Sequence, residues 1–265
     1  MEKKERLSEK VVELPIGLIR SGKRYRNFKI RRIKARDRAE VLKQDRGKGK
    51  KQNMEKRFSM FLQSVVLEIN NGEIPITEEA IRSLTICDRD FLLLEVHKIS
   101  KGNKLEIGTK CQNPQCNCSL DLLYDLENDI DVKKISDEEI DGEKIEIFED
   151  DLYYKYINKE LGLKIDMCFP TIRLTEEVSE KNLSYPYSDW YTYSKCIKKW
   201  NDIDGENINV DFISDQYDEE ISWLESQLRF FKPGPQFLHR MECEDCGHQS
   251  LINLMQSNFL FSLPI

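Results

Sequence analysis

The chain has 265 residues, 39% hydrophobic and 34% charged, with 41 Lys+Arg against 48 Asp+Glu and a formal net charge of −7. At roughly 100–200 residues per domain, this length suits one or two domains, and 12 Phe, 10 Tyr and 3 Trp exclude an aromatic-poor disordered polymer. No apolar run approaches the ~20 residues of a membrane-spanning helix, and Glu13 and Pro15 interrupt Val11 to Ile19, which argues against a secretory signal.

The charge is unevenly placed. Residues 1–60 hold 21 Lys+Arg and 8 Asp+Glu, whereas the remainder holds 20 and 40. A basic arm on an acidic body predicts a partner for the arm, or contact with a neighbouring copy's body. Arg24, Arg26, Arg31, Arg32, Lys34, Arg36 and Arg38 carry that reading. Solvated helix faces of unlike sign are the plainer alternative.

Residues 1–35 read as an extended arm with short strands, Leu14-Pro15-Ile16-Gly17-Leu18 preceding a turn at Ser21-Gly22. Ala35 to Gln52 reads as a helix that gives way to a flexible run at 47–50. Phe58, Phe61, Leu62, Val65, Val66 and Ile69 recur at helical spacing, which predicts an amphipathic helix over 54–69. Thr77 is suited to cap a short helix, and Asp88 the next, which carries Phe91, Leu92, Leu94 and Val96 and stops near Gly102. Asp88, Arg89 and Asp90 read as a cap with an adjacent ion pair rather than a catalytic cluster.

From Lys104 the period changes to two, predicting strands at 104–110, 119–124, 144–148 and 163–169, with a turn at Asp141-Gly142. The acidic stretch from Glu127 to Asp151 lacks the Asp/Asn ladder of a calcium loop and reads as solvated surface. Residues 183–201 read as helical, with Trp190, Tyr193 and Trp200 as core or interface anchors. A helix from Asp218 ends at Pro233-Gly234-Pro235, strands follow, and Phe259-Leu260-Phe261 forms an apolar tail.

Cysteine spacing carries the clearest chemistry. Cys111 and Cys116 sit between two predicted strands, and so do Cys243 and Cys246, so each pair lies at a hairpin tip. Two such knuckles can close a tetrahedron of thiolates around zinc. Gly247 stands where a positive φ favours glycine. The metal ligands expected are Cys111, Cys116, Cys243 and Cys246, and the Zn2+ is structural because four thiolates leave no open position. Cys118 competes with Cys116 for the second place, and Cys116 is preferred because Cys118 is placed to enter the next strand. His248 is a fallback ligand. Ordinary reduced thiols or two disulfides are the plainer alternative, and Cys87, Cys168 and Cys196 read as buried thiols.

The fold class expected is α+β: an N-terminal extended arm and helices, then a zinc-ribbon-like pair of β-hairpins interrupted by a large mixed α/β insertion. The parts are a basic arm and linker at 1–53, a helical segment at 54–103, a ribbon core at 104–124 and 236–265, and an acidic insertion at 125–235. No phosphate loop, metalloprotease helix, nucleophile elbow or dinucleotide-binding glycine pattern occurs, and His97 reads as packing, so no enzyme is expected.

The basic segment with Leu14-Pro15-Ile16-Gly17-Leu18, the amphipathic helix, Cys87-Asp88-Arg89-Asp90-Phe91-Leu92-Leu93-Leu94, Lys101-Gly102, the two knuckles and Phe259 occur in that order. In this the chain resembles the baseplate-hub assembly and baseplate structural proteins of contractile-tailed phages of the T-even type and related tail-like injection particles. The resemblance covers roughly 1–125 and 236–265. It implies a structural or assembly part without catalytic residues, placed in the virion tail baseplate and in the host cytoplasm during assembly. The partners it implies are other baseplate and tail-hub proteins, with no membrane. It also suits an arm that orders only on assembly, which a protease would remove from the isolated chain. The alternative is a nucleic-acid-binding zinc-ribbon protein using the arm on phosphates. The acidic body opposes it.

Overall fold

The computed structural model describes residues 8–37, 39, 54–116, 118–140, 144–230 and 232–254. Most of the helix expected from Ala35 to Gln52, the Asp141-Gly142 turn and the tail at 259–261 lie outside them.

Strands β1 (Glu9–Arg20) and β2 (Lys23–Arg31) pair antiparallel around the expected turn. Ser21 and Gly22 both have positive φ, 50° and 72°, as a tight hairpin turn requires. This segment is not an extended arm. Val12, Leu14, Ile16 and Leu18 alternate along β1, and all four are buried, as are Phe28 and Ile30 on β2. Removing such a row from water outweighs the pull of the intervening charges toward solvent. A protease should therefore find the hairpin closed.

Helix α1 (Met54–Val65) follows, and it ends four residues short of the expected boundary. Val66–Ile69 is instead β3, which extends the hairpin by pairing Ile69 with Phe28 and Val66 with Ile30. Valine and isoleucine suit the ladder better than the last turn of a helix. Helix α2 (Glu78–Arg82) is capped as expected, Thr77 accepting the Ala80 amide. Helix α3 (Ile86–Lys101) corrects the second cap. Thr85, in extended conformation, caps it by accepting the Asp88 amide, which leaves the Asp88 carboxylate free to bond elsewhere. The expected ion pair is present, Arg89 holding Asp90 at 2.8 Å and also reaching Glu55.

Strands β4 (Lys104–Lys110) and β5 (Ser119–Asp125) form the first predicted knuckle hairpin. The two-residue strand β6 (Val132–Lys133) and the short helix α4 (Asp137–Ile140) lead into a five-stranded antiparallel sheet. Its strands are β7 (Ile145–Phe148), β8 (Asp151–Asn158), β9 (Leu163–Cys168), β10 (Ile197–Trp200) and β11 (Ile203–Asp204), in the spatial order β11-β10-β9-β8-β7. Helices α5 (Ile172–Lys181) and α6 (Tyr187–Cys196) lie between β9 and β10 in sequence. The helical reading of 183–201 thus stops at Cys196, because pairing of Trp200 with Ile165 draws the last residues into the sheet. Helices α7 (Val210–Ser214) and α8 (Asp218–Phe230) precede β12 (Gly234–Pro235), which pairs with β6. The second knuckle hairpin, β13 (Leu238–Glu242) and β14 (Gln249–Asn253), comes last.

The architecture is mixed α and β with several small sheets. The largest apolar cluster joins the β1–β2–β3 sheet, α1 to α3 and both knuckle hairpins, through Ile107, Met241 and Ile252. A second is drawn entirely from 154–228, with Trp200 and Ile197 buried in it. A third, containing Ile16, Cys87, Leu152 and Phe169, joins the two. No helix among the described residues is long and apolar enough to cross a membrane.

Candidate metal centre

Each knuckle is shaped by its own backbone. In the first, the Cys111 amide donates to the Cys118 carbonyl at 2.9 Å, one step past the last β4–β5 pair, and the Cys116 amide donates to the Asn113 carbonyl at 3.0 Å. In the second, the Cys243 amide donates to the His248 carbonyl at 3.0 Å, and the Gly247 amide returns to the Cys243 carbonyl at 2.8 Å. Gly247 has φ +67°, as expected from the sequence.

The tertiary fold then brings two tips together that are more than a hundred residues apart in the chain. Tyr124 on β5 meets His239 on β13 edge to face at 5.2 Å between ring centroids. Sγ of Cys111 lies 3.7 Å from that of Cys246, and Sγ of Cys243 lies 3.9 Å from Cys116 and 3.4 Å from Cys118. Cys111, Cys116, Cys118 and Cys243 place their sulfurs within 4.8 Å of one another. Cys111 and Cys243 are buried, Cys116 and Cys118 half-buried and Cys246 exposed. Three of the four residues expected as ligands, Cys111, Cys116 and Cys243, lie in this group together with Cys118, while Cys246 stands outside it with its sulfur beside Cys111. Cys118 does stand at the entry to β5, yet its sulfur turns to the cluster. His248 contributes a backbone carbonyl, and its ring is not part of the sulfur group.

The thiols of the cluster shift one another's protonation in opposite directions. The Cys246 amide, with further help from the Asp245 amide and the Cys118 thiol, pulls Cys243 down to about 6 despite its burial. The Asn113 amide pulls on Cys111 in the same way, but burial and hydrogen bonding to Cys246 and Cys243 outweigh it and raise that thiol to about 12. Cys118 is raised by its bond to Cys243 and by burial. Closely spaced thiols thus share protons until a cation displaces them. Asn113 also supports the site: its amide lies 3.4 Å from Cys111 Sγ, and its side-chain Nδ2 lies 3.7 Å from Cys246 Sγ. Nothing in the cysteine spacing singled it out. An Asn-Pro step beginning two residues after a knuckle cysteine was the available signal.

The other cysteines divide. Cys87 and Cys196 are buried as expected, whereas Cys168 is half-buried and lines a cavity of about 400 Å³ with Cys196. His97 is buried in α3, and burial pulls it down to about 4, which suits packing.

Of the basic residues singled out in the sequence, Arg24, Arg26, Arg31 and Arg36 find partners within the chain, as does Lys29, while Arg38 lies outside the described residues. Arg24 bonds Asp137 at 2.8 Å and the Pro15 and Ile135 carbonyls, Arg26 pairs with Glu13, Arg31 with Asp37, and Lys29 with Glu68. The charge asymmetry is in good part a hairpin held against its own body.

A cysteine cluster of this kind can hold a metal ion, and all-thiolate donors suit a soft or borderline one. No curated protein and no solved structure gives a significant match to the chain. A family model described as T4 bacteriophage base plate protein matches residues 19–260, which takes in β2, the buried Asp88 segment and both cysteine knuckles and begins after most of β1. The chain belongs to that family, and so to the multi-subunit assembly at the tail of a phage virion.

Proposed function

We propose that this protein is a non-enzymatic structural or assembly component of a contractile phage tail baseplate, in its hub region or inner part, with a zinc-ribbon core that presents contact surfaces to neighbouring baseplate and tail-hub proteins. The observation that carries the zinc is distance. With Zn–S near 2.3 Å, a thiolate tetrahedron has edges of about 3.8 Å, and the Cys111–Cys246 and Cys116–Cys243 separations are 3.7 and 3.9 Å. Cys111, Cys116, Cys243 and Cys246 would hold Zn2+ with no open position, which suits a clamp and not a catalyst. Binding of this kind contributes on the order of 10 kcal/mol in zinc-finger peptides.

In this reading 104–124 and 236–265 are the ribbon core, and 125–235 is an acidic insertion with its own apolar cluster. Residues 54–103 form the helical segment, and 1–53 is the basic segment, whose β1–β2 hairpin packs on it. The protein would reside in the virion tail, and in the host cytoplasm while the tail is assembled. Nucleic-acid binding is disfavoured, because Arg24, Arg26 and Arg31 already hold internal carboxylates and carbonyls. Elemental analysis of the purified chain tests the clamp: about one zinc per chain is expected, and less than about half an equivalent with free thiols would refute it. Imaging of the intact baseplate tests the location, and density for this chain outside the hub and inner part would refute that placement.

A further inference from the structure

We infer that Cys168 and Cys196 form a second thiol site, a dithiol that closes to a disulfide by exchange with a small disulfide entering the cavity beside it. The site is separate from the metal centre and shares no residue with it. Met167 on β9 pairs with Ile197 on β10, and the antiparallel register sets Cys168 and Cys196 at the same end of that rung. Directly opposed positions on antiparallel strands lie about 4.5–5.5 Å apart at Cα, inside the ~4.4–6.8 Å that a disulfide spans. The Cys196 thiol hydrogen-bonds that of Cys168, so the two side chains already meet. Cys168 ends β9 and Cys196 ends α6, and a bond between them staples the sheet to that helix.

The two thiols differ in access. Both line a cavity of about 400 Å³, bounded also by Arg20, Asp150, Glu177 and Lys195. Cys168 is half-buried there, whereas Cys196 is only 2% exposed. A cavity of that size takes a small molecule and not a folded redox protein. Its charges of both signs suit one arm of a zwitterionic disulfide such as oxidised glutathione. The hydrogen bond to Cys168 and burial push Cys196 well above the ordinary thiol range, so Cys168 is the attacking group. Its thiolate bonds one sulfur of the small disulfide, breaking the S–S bond and releasing one thiolate. Cys196 then gives its proton to solvent and attacks the Cys168 sulfur, expelling the second thiolate. The protein loses two electrons and two protons, and the small disulfide becomes two thiols. A reducing cytoplasm keeps the pair open, and an oxidising medium closes it.

The test is to incubate the full-length chain with excess oxidised glutathione, trap free thiols with iodoacetamide and map the peptides without reduction. A peptide pair joined through Cys168 and Cys196 is expected, with the fully buried Cys87 free of glutathione. Glutathione left on Cys168 beside a reduced Cys196 would overturn the inference. So would two reduced thiols under conditions that oxidise the same pair in the urea-unfolded chain. In parallel, Cys196→Ser should hold glutathione on Cys168 as a stable mixed disulfide, and Cys168→Ser should leave Cys196 unmodified. Glutathione on Cys196 as readily as on Cys168 would overturn the assigned roles. The knuckle cysteines fall in other peptides, so their state reads the metal centre separately.

Discussion

The carboxylate of Asp88 accepts the backbone amide of Ile16 at 2.8 Å, across 72 positions of sequence. It accepts the Gly17 amide as well, at 3.1 Å, and the Thr85 hydroxyl at 3.0 Å. Between Glu13 and Leu18 the β1–β2 register shifts, so β1 bulges away from its partner. The freed amides are buried and need an acceptor. The start of α3 supplies it, and Arg24 covers the other side of the bulge by donating to the Pro15 and Ile16 carbonyls. Two sequence motifs thus form one joint, Leu14-Pro15-Ile16-Gly17-Leu18 and Cys87-Asp88-Arg89-Asp90.

Asp88→Ala should destabilise the fold by roughly 3–5 kcal/mol, because two buried amides lose their acceptor at once. Urea unfolding followed by circular dichroism measures it. A loss below about 1 kcal/mol would mean that the joint carries little of the stability.

The same joint should respond to acid in an unusual direction. Burial pushes the Asp88 carboxyl from 3.8 up to about 6, against the pull of the Ile16 and Gly17 amides, Thr85 and Arg24. The folded protein therefore holds this proton more tightly than the unfolded chain. The resulting stability is fully present below about pH 4 and is lost as pH rises through about 6. Asp88→Asn has no such titration. The parent's stability relative to this variant should be greater at about pH 4 than at about pH 7, by on the order of 2–3 kcal/mol. A difference that stays flat across that range would contradict the assignment.

Gly17→Ala should be far more damaging than Gly22→Ala. Both glycines have positive φ, but a Cβ on Gly17 would lie 2.8 Å from the Tyr25 carbonyl oxygen, whereas one on Gly22 meets nothing within 4 Å. The expected costs are roughly 2–4 kcal/mol at Gly17 and about 1 kcal/mol at Gly22. Thermal unfolding of the two variants side by side decides it, and equal shifts would refute the close-approach argument.

Removing the metal should loosen only part of the molecule. Cys243→Ser, or chelation of the parent, should abolish zinc binding and raise hydrogen exchange in β4, β5, β13 and β14. The cluster within 154–228 has its own apolar contacts and should keep its protection. Uniform loss of protection would show that the knuckles hold the whole fold.

Much of this was legible locally. The period-two runs at 104–110 and 163–169, the Ser21-Gly22 turn, the Thr77 cap and the two cysteine tips all follow from interactions within a few residues. What misled was also local. Val66 and Ile69 continue a helical stripe, and Ile197 to Trp200 continue another, yet each is claimed by a strand from elsewhere in the chain. No local pattern records the presence of that partner. Asp88 looked like a cap because a carboxylate near a helix start normally is one, and Thr85 took the position first.

The sequence by itself determined the cysteine-bearing hairpin tips and the alternating apolar rows that build the core, since spacing along one strand or turn dictates these. Only the tertiary structure decided that the basic segment folds into that core, that Asp88 serves Ile16 and Gly17, and that Cys118 meets Cys243. Each depends on contacts between distant segments, and their energy is set by which buried groups meet when the chain closes.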